Sequence, residues 1–202
     1  MTMSRNADDI LGFWFGAQED DADVAKTQQS LWWSKNPDVD REISDTYKAT
    51  LEDACRGNLA DWENTARGML ALIILADQFS RNIYRDDTRS FSNDYLALDW
   101  CRQLLARRLD MELRPIERVF AYLPLEHSED LADQDQCVAL FTALGEQVPD
   151  RHQEVFSGFL DFAHAHRKIV RQFGRYPHRN KILSRESTAA EKTFLTQPGS
   201  SF

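Results

Sequence analysis

The chain has 202 residues, enough for one domain with a complete hydrophobic core. Its hydrophobic content of 42% and charged content of 28% are ordinary for a globular protein that folds in water. A formal net charge of −9 works against non-specific binding to a phosphate backbone and therefore argues against a nucleic-acid partner. Glycine and proline number only 8 and 6, too few for an all-β fold with a turn about every ten residues.

Nothing in the sequence indicates a disulfide framework or a membrane segment. Cys55, Cys101 and Cys137 are odd in number and widely spaced, so we expect buried thiols in a reducing compartment. The N-terminal stretch lacks the apolar core of a signal peptide, and the longest apolar run, residues 69–76, is far shorter than the ~20 residues that span a bilayer. We therefore expect a cytoplasmic protein without a membrane partner.

Helical periodicity dominates the chain. Apolar residues from Ile43 to Ala54 recur on one helical face, and Gly57 follows as a C-terminal cap. Residues 69–76 are apolar all round, which is typical of a central helix surrounded by others. Further helices are predicted over residues 91–109, 116–123, 128–144 and 155–173, and after the capping box of Thr188 and Glu191.

Prolines, glycines and caps predict where several of these helices begin and end. Pro115 suits the first position of a helix that Pro124 should interrupt. Ser128 is a suitable N-cap for the following helix, which should end near Gly145. Gly174 should end the long helix before it.

The predicted fold is all-α, with about eight helices and no strand. Helices joined by short loops pack as antiparallel pairs, which is the arrangement expected here. No clean repeat of ~34 residues is visible in the sequence. No low-complexity linker divides the chain, and residues 1–202 are therefore expected to form a single helical domain.

Residues 162–185 form a basic run in an otherwise acidic protein. The run holds seven Lys or Arg and three His, with no Asp or Glu. Arginine forks bind carboxylate or phosphate bidentately, and loops on a rigid scaffold often carry binding residues. These cations need an anionic partner, which is either a ligand or a carboxylate of the same chain. In the second case the run is a structural clasp.

Two other polar stretches are attached to apolar helices. Asp77 directly follows the apolar run, where a buried carboxylate needs a partner such as Arg81. Glu126 and His127 follow Pro124 at a corner between two helices. We predict one ligand-binding pocket formed by Arg81, Glu126, His127, His166, Arg175, His178, Arg179 and Asn180, with Asp77 as a supporting ion-pair partner.

The sequence favours neither a metal site nor a cofactor. Asp161 and His164 have carboxylate and imidazole groups at a suitable spacing, but no second Glu-x-x-His accompanies them as in a di-iron bundle. Neither a Cys-rich zinc pattern nor a phosphate-cradling glycine loop is present, and no Gly-x-Ser-x-Gly elbow places a nucleophile.

Five stretches in order resemble the bacterial "domain of unknown function 924" family. They are residues 13–16 (FWFG), 72–84 (LIILADQFSRNIY), 117–129 (ERVFAYLPLEHSE), 166–180 (HRKIVRQFGRYPHRN) and 198–202 (PGSSF). The resemblance covers nearly the whole chain and implies an all-helical fold similar to tetratricopeptide-repeat proteins, that is, a right-handed helical array. It implies no activity. One departure is Ser80, where the family pattern has proline.

Three hypotheses for function remain open. The first is a binding module whose Arg/His/Glu pocket holds a small anionic ligand or a peptide carboxylate. The second is an enzyme of hydrolase or lyase type that uses Glu126 or a histidine as general acid or base, with arginines stabilising negative charge. The third is a helical scaffold that binds protein or RNA. RNA binding requires a continuous exposed basic stripe.

Overall fold

The computed structural model describes residues 5–200, which form helices, turns and loops without a strand. The last two residues of the PGSSF stretch therefore lie outside the described range. The α-helices are α1 (Ala7–Phe15), α2 (Asp21–Trp33), α3 (Pro37–Cys55), α4 (Ala66–Ile73), α5 (Ser80–Ile83), α6 (Asp94–Ala106), α7 (Pro115–His127), α8 (Leu131–Gln147), α9 (Gln153–Phe173) and α10 (Ala189–Phe194). The all-α fold class is confirmed. The tetratricopeptide-like arrangement stays a prediction.

A central helix, buried on all sides for most of its length, is confirmed. Helix α4 runs without a break into a π-helical segment, Ile74–Phe79, and then into α5. All six residues of the π-helical segment are buried, including Asp77 and Gln78. Segments with π geometry are rare and occur frequently at functional sites. The segment contacts α3, α6 and α7, so the polar groups that it carries lie in the middle of the molecule.

Pro124 does not interrupt its helix, contrary to the prediction. Helix α7 starts with Pro115 as expected but continues through Pro124 to His127. The side-chain amide of Gln134, on α8, donates to the carbonyls of Leu125, Glu126 and Ser128. A packed neighbour thus supplies hydrogen bonds at the end of the helix, where proline restricts the backbone.

The predicted start and end of α8 are also wrong. Asp130 is the N-cap, because its carboxylate accepts the backbone N–H of Ala132. Ser128 instead accepts the N–H of Asp130 and donates to Asp133. Gly145 lies inside the helix, where its conformation is ordinary.

Other helix ends agree better with their local sequence signals. Gly57 and Gly174 adopt positive φ at the ends of α3 and α9, and the Thr188–Glu191 capping box opens α10. Residues 91–109 are only partly α-helical, since α6 is preceded by the 3₁₀ turn Thr88–Phe91 and followed by Leu109–Glu112. Within residues 5–200, no helix has the length and apolar character needed to cross a membrane.

Two groups of buried apolar residues position the candidate site. The larger core extends over α1 to α9, and the smaller one is formed by Ile169, Val170 and Tyr176, with Phe173 and Phe194 packed against it. The smaller core joins α9 to the segment that follows it and to α10. Polar side chains of the π-helical segment, α7, α9 and the 3₁₀ turn Pro177–Arg179 meet near the junction of the two cores.

Candidate functional site

The three polar stretches of the sequence converge on one cluster of ionisable groups. Its members come from the π-helical segment, α5, α6, α7, α9 and the 3₁₀ turn Pro177–Arg179, and contacts between side chains or through the His127 carbonyl link them. We call them the polar cluster: Asp77, Arg81, Asp94, Glu126, His127, His166 and Arg179. Tyr176 and His178 flank this cluster.

Asp77 is buried and ionised at the centre of the polar cluster. Its Oδ1 lies 2.7 Å from Nδ1 of His127 and 3.3 Å from a guanidinium nitrogen of Arg81. Its Oδ2 accepts from the Gln78 amide at 2.5 Å. Burial alone raises the pKa of a carboxyl, but the positive charge of Arg81 and the His127 contact hold the pKa of Asp77 well below its ordinary value.

Asp77 determines which nitrogen of His127 is basic. An ionised carboxylate only accepts hydrogen bonds, so His127 donates to it through Nδ1–H, and Nε2 is the nitrogen that can take up a proton. Burial and the charge of Arg81 lower the pKa of His127, although Asp77 opposes this shift. His127 is therefore a neutral base oriented by a carboxylate at neutral pH.

Glu126 and His166 form a contact between two uncharged groups. The Glu126 Oε1 atom lies 3.3 Å from Nδ1 of His166, which also lies 2.8 Å from the Phe162 carbonyl oxygen. Burial and the negative charge of Asp77 raise the pKa of Glu126 to about 8. Burial lowers the pKa of His166 to about 3. Near pH 7 the pair is thus a carboxylic acid beside a neutral imidazole.

Arg179 is a buried guanidinium held between two aromatic rings. Its Cζ atom lies 4.9 Å from the ring centroid of Phe91 and 4.5 Å from that of Tyr176. One Nη donates to the His127 carbonyl at 3.0 Å, and the same nitrogen is 3.6 Å from the Asp94 carboxylate. Its Nε is buried without a hydrogen-bond partner, which is a costly state for a charged donor.

Arg81 pairs with both carboxylates of the polar cluster. It bonds Asp94 through two nitrogens, at 3.1 and 3.3 Å, and it also contacts the carboxylate and carbonyl of Asp77. Its guanidinium lies 5.7 Å from the Phe91 centroid, so the two arginines of the cluster share one ring. Because Asp94 is drawn to Arg81, its oxygens stay beyond hydrogen-bond distance of Arg179.

His178 adjoins the polar cluster through the ring of Tyr176. The centroids of the two rings are 5.5 Å apart. Burial and the charge of Arg179 lower the pKa of His178 to about 4, so it too is neutral near pH 7.

Arg175 and Asn180, two predicted pocket residues, are held by other partners. Arg175 binds both carboxylate oxygens of Glu191, at 2.6 and 2.8 Å, and so ties the loop to α10. Asn180 donates to Ser187 and accepts from Arg185. The structure therefore does not bring these two side chains into the polar cluster, because acceptors nearer in the chain engage them.

Two further arginines of the basic run are also paired with carboxylates of the chain. Arg185 binds Glu129 through two nitrogens, and Arg167 binds Asp135. Acids thus lie between the cations along this face, which opposes the continuous basic stripe that RNA binding requires.

Sequence reasoning missed three parts of the site: Asp94, Phe91 and Tyr176. Asp94 is in the first turn of α6, where an acid ordinarily complements the helix dipole. The two aromatic residues resemble core residues until their contacts with Arg179 are seen. Their role depends on long-range packing, for which the local sequence holds no signal.

No metal-binding arrangement is present in the described part of the chain, where no three or more His, Cys, Asp or Glu residues are placed to share an ion.

Comparison with known proteins identifies the family of the chain. Residues 10–199 match the model of a family described as "Bacterial protein of unknown function (DUF924)". The chain belongs to this family. All seven residues of the polar cluster lie within the matched range.

A solved structure is similar to this DUF924 protein over almost its full length. It is described as "Structure of Protein of Unknown Function ATU0120 from Agrobacterium tumefaciens" and is 33% identical in sequence, with a TM-score of 0.78. The similarity covers 94% of this chain and 96% of the other. No curated protein matches the chain. Both the family and this structural neighbour are described without an activity.

Proposed function

We propose that the polar cluster of this DUF924 protein binds a small anionic ligand, with Arg179 as its anchoring cation. The observation that carries the proposal is the state of Arg179. Its guanidinium is buried, held between Phe91 and Tyr176, and has an Nε without an acceptor. A ligand oxygen at this nitrogen would satisfy a donor that has already lost its contact with water.

The neighbouring groups prepare the site for a negative charge. Asp94 is engaged by Arg81 and approaches Arg179 no closer than 3.6 Å. Glu126, which would otherwise repel an anion, keeps its proton up to a pKa of about 8. The stacking on two rings also limits the motion of the guanidinium, so that little conformational entropy is lost on binding.

Thermal unfolding with simple anions tests the proposal. Sodium acetate and sodium phosphate should raise the melting temperature above that measured in sodium chloride at equal ionic strength. Arg179→Lys, which keeps the charge but loses the Nε–H and the planar fork, should remove most of this rise. Arg175→Lys is the matched control, because Arg175 is paired with Glu191 outside the polar cluster.

An equal response of the wild type to all three salts would contradict the proposal. So would an Arg179→Lys protein that is stabilised by acetate as much as the wild type. The melting temperature of each variant without added anion separates a loss of folding stability from a loss of binding.

The alternative function is an enzyme of hydrolase or lyase type, which one observation favours. His127 Nε2 is a base oriented by Asp77, and the protonated Glu126 is its direct neighbour in the chain and a carboxylic acid. In ester hydrolysis His127 would take a proton from water as the water oxygen bonds to the acyl carbon. The bond between that carbon and the ester oxygen would then break, and the leaving oxygen would take a proton from Glu126 or from the protonated His127, or depart as the anion when it is a nitrophenolate. Release of 4-nitrophenolate from 4-nitrophenyl acetate measures this step, and His127→Gln should abolish it while Arg175→Lys preserves it.

A further inference from the structure

The charges in the polar cluster favour a ligand with a single negative charge. Two guanidinium groups, Arg81 and Arg179, face two carboxylates, Asp77 and Asp94. Glu129, whose negative charge also acts on Arg179, is paired with Arg185. The other titratable groups that face the cluster, from α7, α9 and the turn after it, are uncharged near pH 7: Glu126, His127, His166, Tyr176 and His178. The described groups thus balance one another, and each further negative charge would meet growing repulsion from the two carboxylates.

The geometry of Arg179 favours a planar group over a tetrahedral one. One Nη is used by the His127 carbonyl, which leaves the Nε side of the fork for the ligand. Two parallel N–H bonds from this side match the spacing of the two oxygens of a carboxylate.

Two aromatic residues, Phe91 and Phe162, supply apolar surface near the polar cluster. The guanidinium groups of Arg81 and Arg179 both contact the ring of Phe91, which is only partly buried. Phe162 lies one turn before His166 on the same face of α9, and its carbonyl accepts from that histidine. Phe162 is 58% exposed, so its ring offers apolar surface to solvent one helical turn from His166.

We infer that the ligand is a monocarboxylate joined to an apolar group, with its carboxylate on Arg179 and its apolar part against Phe162 and Phe91. This inference rests on the proposed anion-binding function and specifies its ligand class. Two sources share the chemistry, namely a free aromatic or branched carboxylic acid and the C-terminus of a peptide that ends in a hydrophobic residue.

Titration calorimetry of the full chain with matched probes tests the inference. Near pH 7.5, 3-phenylpropionate should bind about tenfold more tightly than acetate, because a phenyl ring loses apolar surface to the protein. The uncharged 3-phenylpropionamide should bind at least about tenfold more weakly than the acid, since it cannot pair with the guanidinium. Phenyl phosphate, a dianion at this pH, should also bind more weakly than the acid.

N-acetylphenylalanine and N-acetyl-Gly-Gly-Phe distinguish the two sources of the carboxylate. Tighter binding of the tripeptide than of 3-phenylpropionate assigns the site to peptide C-termini, and weaker binding assigns it to free acids. Phe162→Ala should reduce the difference between 3-phenylpropionate and acetate to less than about threefold. Met111→Ala, at another exposed apolar residue, is the control and should leave it unchanged.

The failures of the two proposals are distinguishable. If acetate and 3-phenylpropionate bind equally well, or if phenyl phosphate binds most tightly, the ligand class is wrong and the anion site stands. If none of the anions binds the wild type, the anion site itself is wrong. If Phe162→Ala retains the wild-type preference for the phenyl group, the apolar part of the ligand does not lie against Phe162.

Discussion

At the scale of single residues, two buried carboxyl groups of the site have opposite ionisation states. Asp77 has three donors around it and is ionised, whereas Glu126 has only the His166 contact and keeps its proton near pH 7. Burial is similar for both, so the difference comes from the partners. The sequence predicted that both are site residues, but it could not assign their charges, because the partners come from distant segments.

The partners of Asp77 make its charge costly to remove. We predict that Asp77→Asn lowers the free energy of unfolding by about 3–5 kcal/mol, since it leaves Arg81 with one buried ion-pair partner fewer and replaces one acceptor oxygen by an NH2 donor that faces other donors. Urea denaturation followed by circular dichroism measures the change.

Asp8→Asn is the matched control for this prediction. Asp8 also pairs with an arginine, Arg67, but its side chain is 79% exposed. An exposed ion pair contributes only about 0–1 kcal/mol, so the loss should be small. Equal losses in the two variants would show that Asp77 does not hold the cluster together.

At the scale of elements, the sequence predicted helices well where their ends depend on local groups. The left-handed caps Gly57 and Gly174 and the capping box at Thr188 are confirmed. The prediction failed at Pro124, which lies inside α7, and Gln134 on another helix bonds carbonyls at the end of that helix. The π-helical segment was not predicted either, since its apolar sequence fits an α-helix equally well.

Two glycines inside helices also differ in whether contacts with another segment matter. A Cβ on Gly68, in the first turn of α4, would lie 2.1 Å from the backbone oxygen of Trp62. A backbone atom cannot move aside as a side chain can, so we predict that Gly68→Ala lowers the free energy of unfolding by about 1–3 kcal/mol. Thermal and urea unfolding of the variant measure this loss.

Gly145→Ala is the control, with an effect of the opposite sign. Gly145 is inside α8, and a Cβ there would meet nothing within 4 Å. Alanine is favoured over glycine in a helix, so this variant should gain about 0.5–1 kcal/mol. A stabilised Gly68→Ala protein would mean that α4 and the turn before it do not pack closely.

At the scale of the whole molecule, the sequence indicated which segments carry polar groups but not how they pair. The predicted convergence of Asp77, Glu126 and Arg179 on one place is what the fold shows. The basic run supplies both a clasp and a candidate site. Arg175 and Arg185 pair with Glu191 and Glu129, while Arg179 reaches the buried cluster. Neighbouring arginines differ in role because only the fold determines which acids they meet.

The balance of buried titratable groups predicts how stability depends on pH. His166 and His178 have lowered pKa values, so the unfolded chain binds more protons and stability rises with pH up to about 6.5. Glu126 acts in the opposite sense. Its folded pKa of about 8 exceeds the ordinary 4.5, so the folded chain binds the extra proton and stability falls as pH rises toward 8.

Between pH 6.5 and 8 the remaining rise from the histidines is smaller than the fall from Glu126. We therefore predict that the free energy of unfolding falls between pH 6.5 and 8 by at most about 2 kcal/mol, and that Glu126→Gln removes this fall. Glu129→Gln is the control, because the lowered pKa of Glu129 affects the slope only in acid. Urea unfolding at several pH values measures the slopes. A wild type whose stability is level or rises over this interval, or a Glu126→Gln protein that keeps the fall, would show that Glu126 is ionised in the folded chain and that its charge opposes an anion at Arg179.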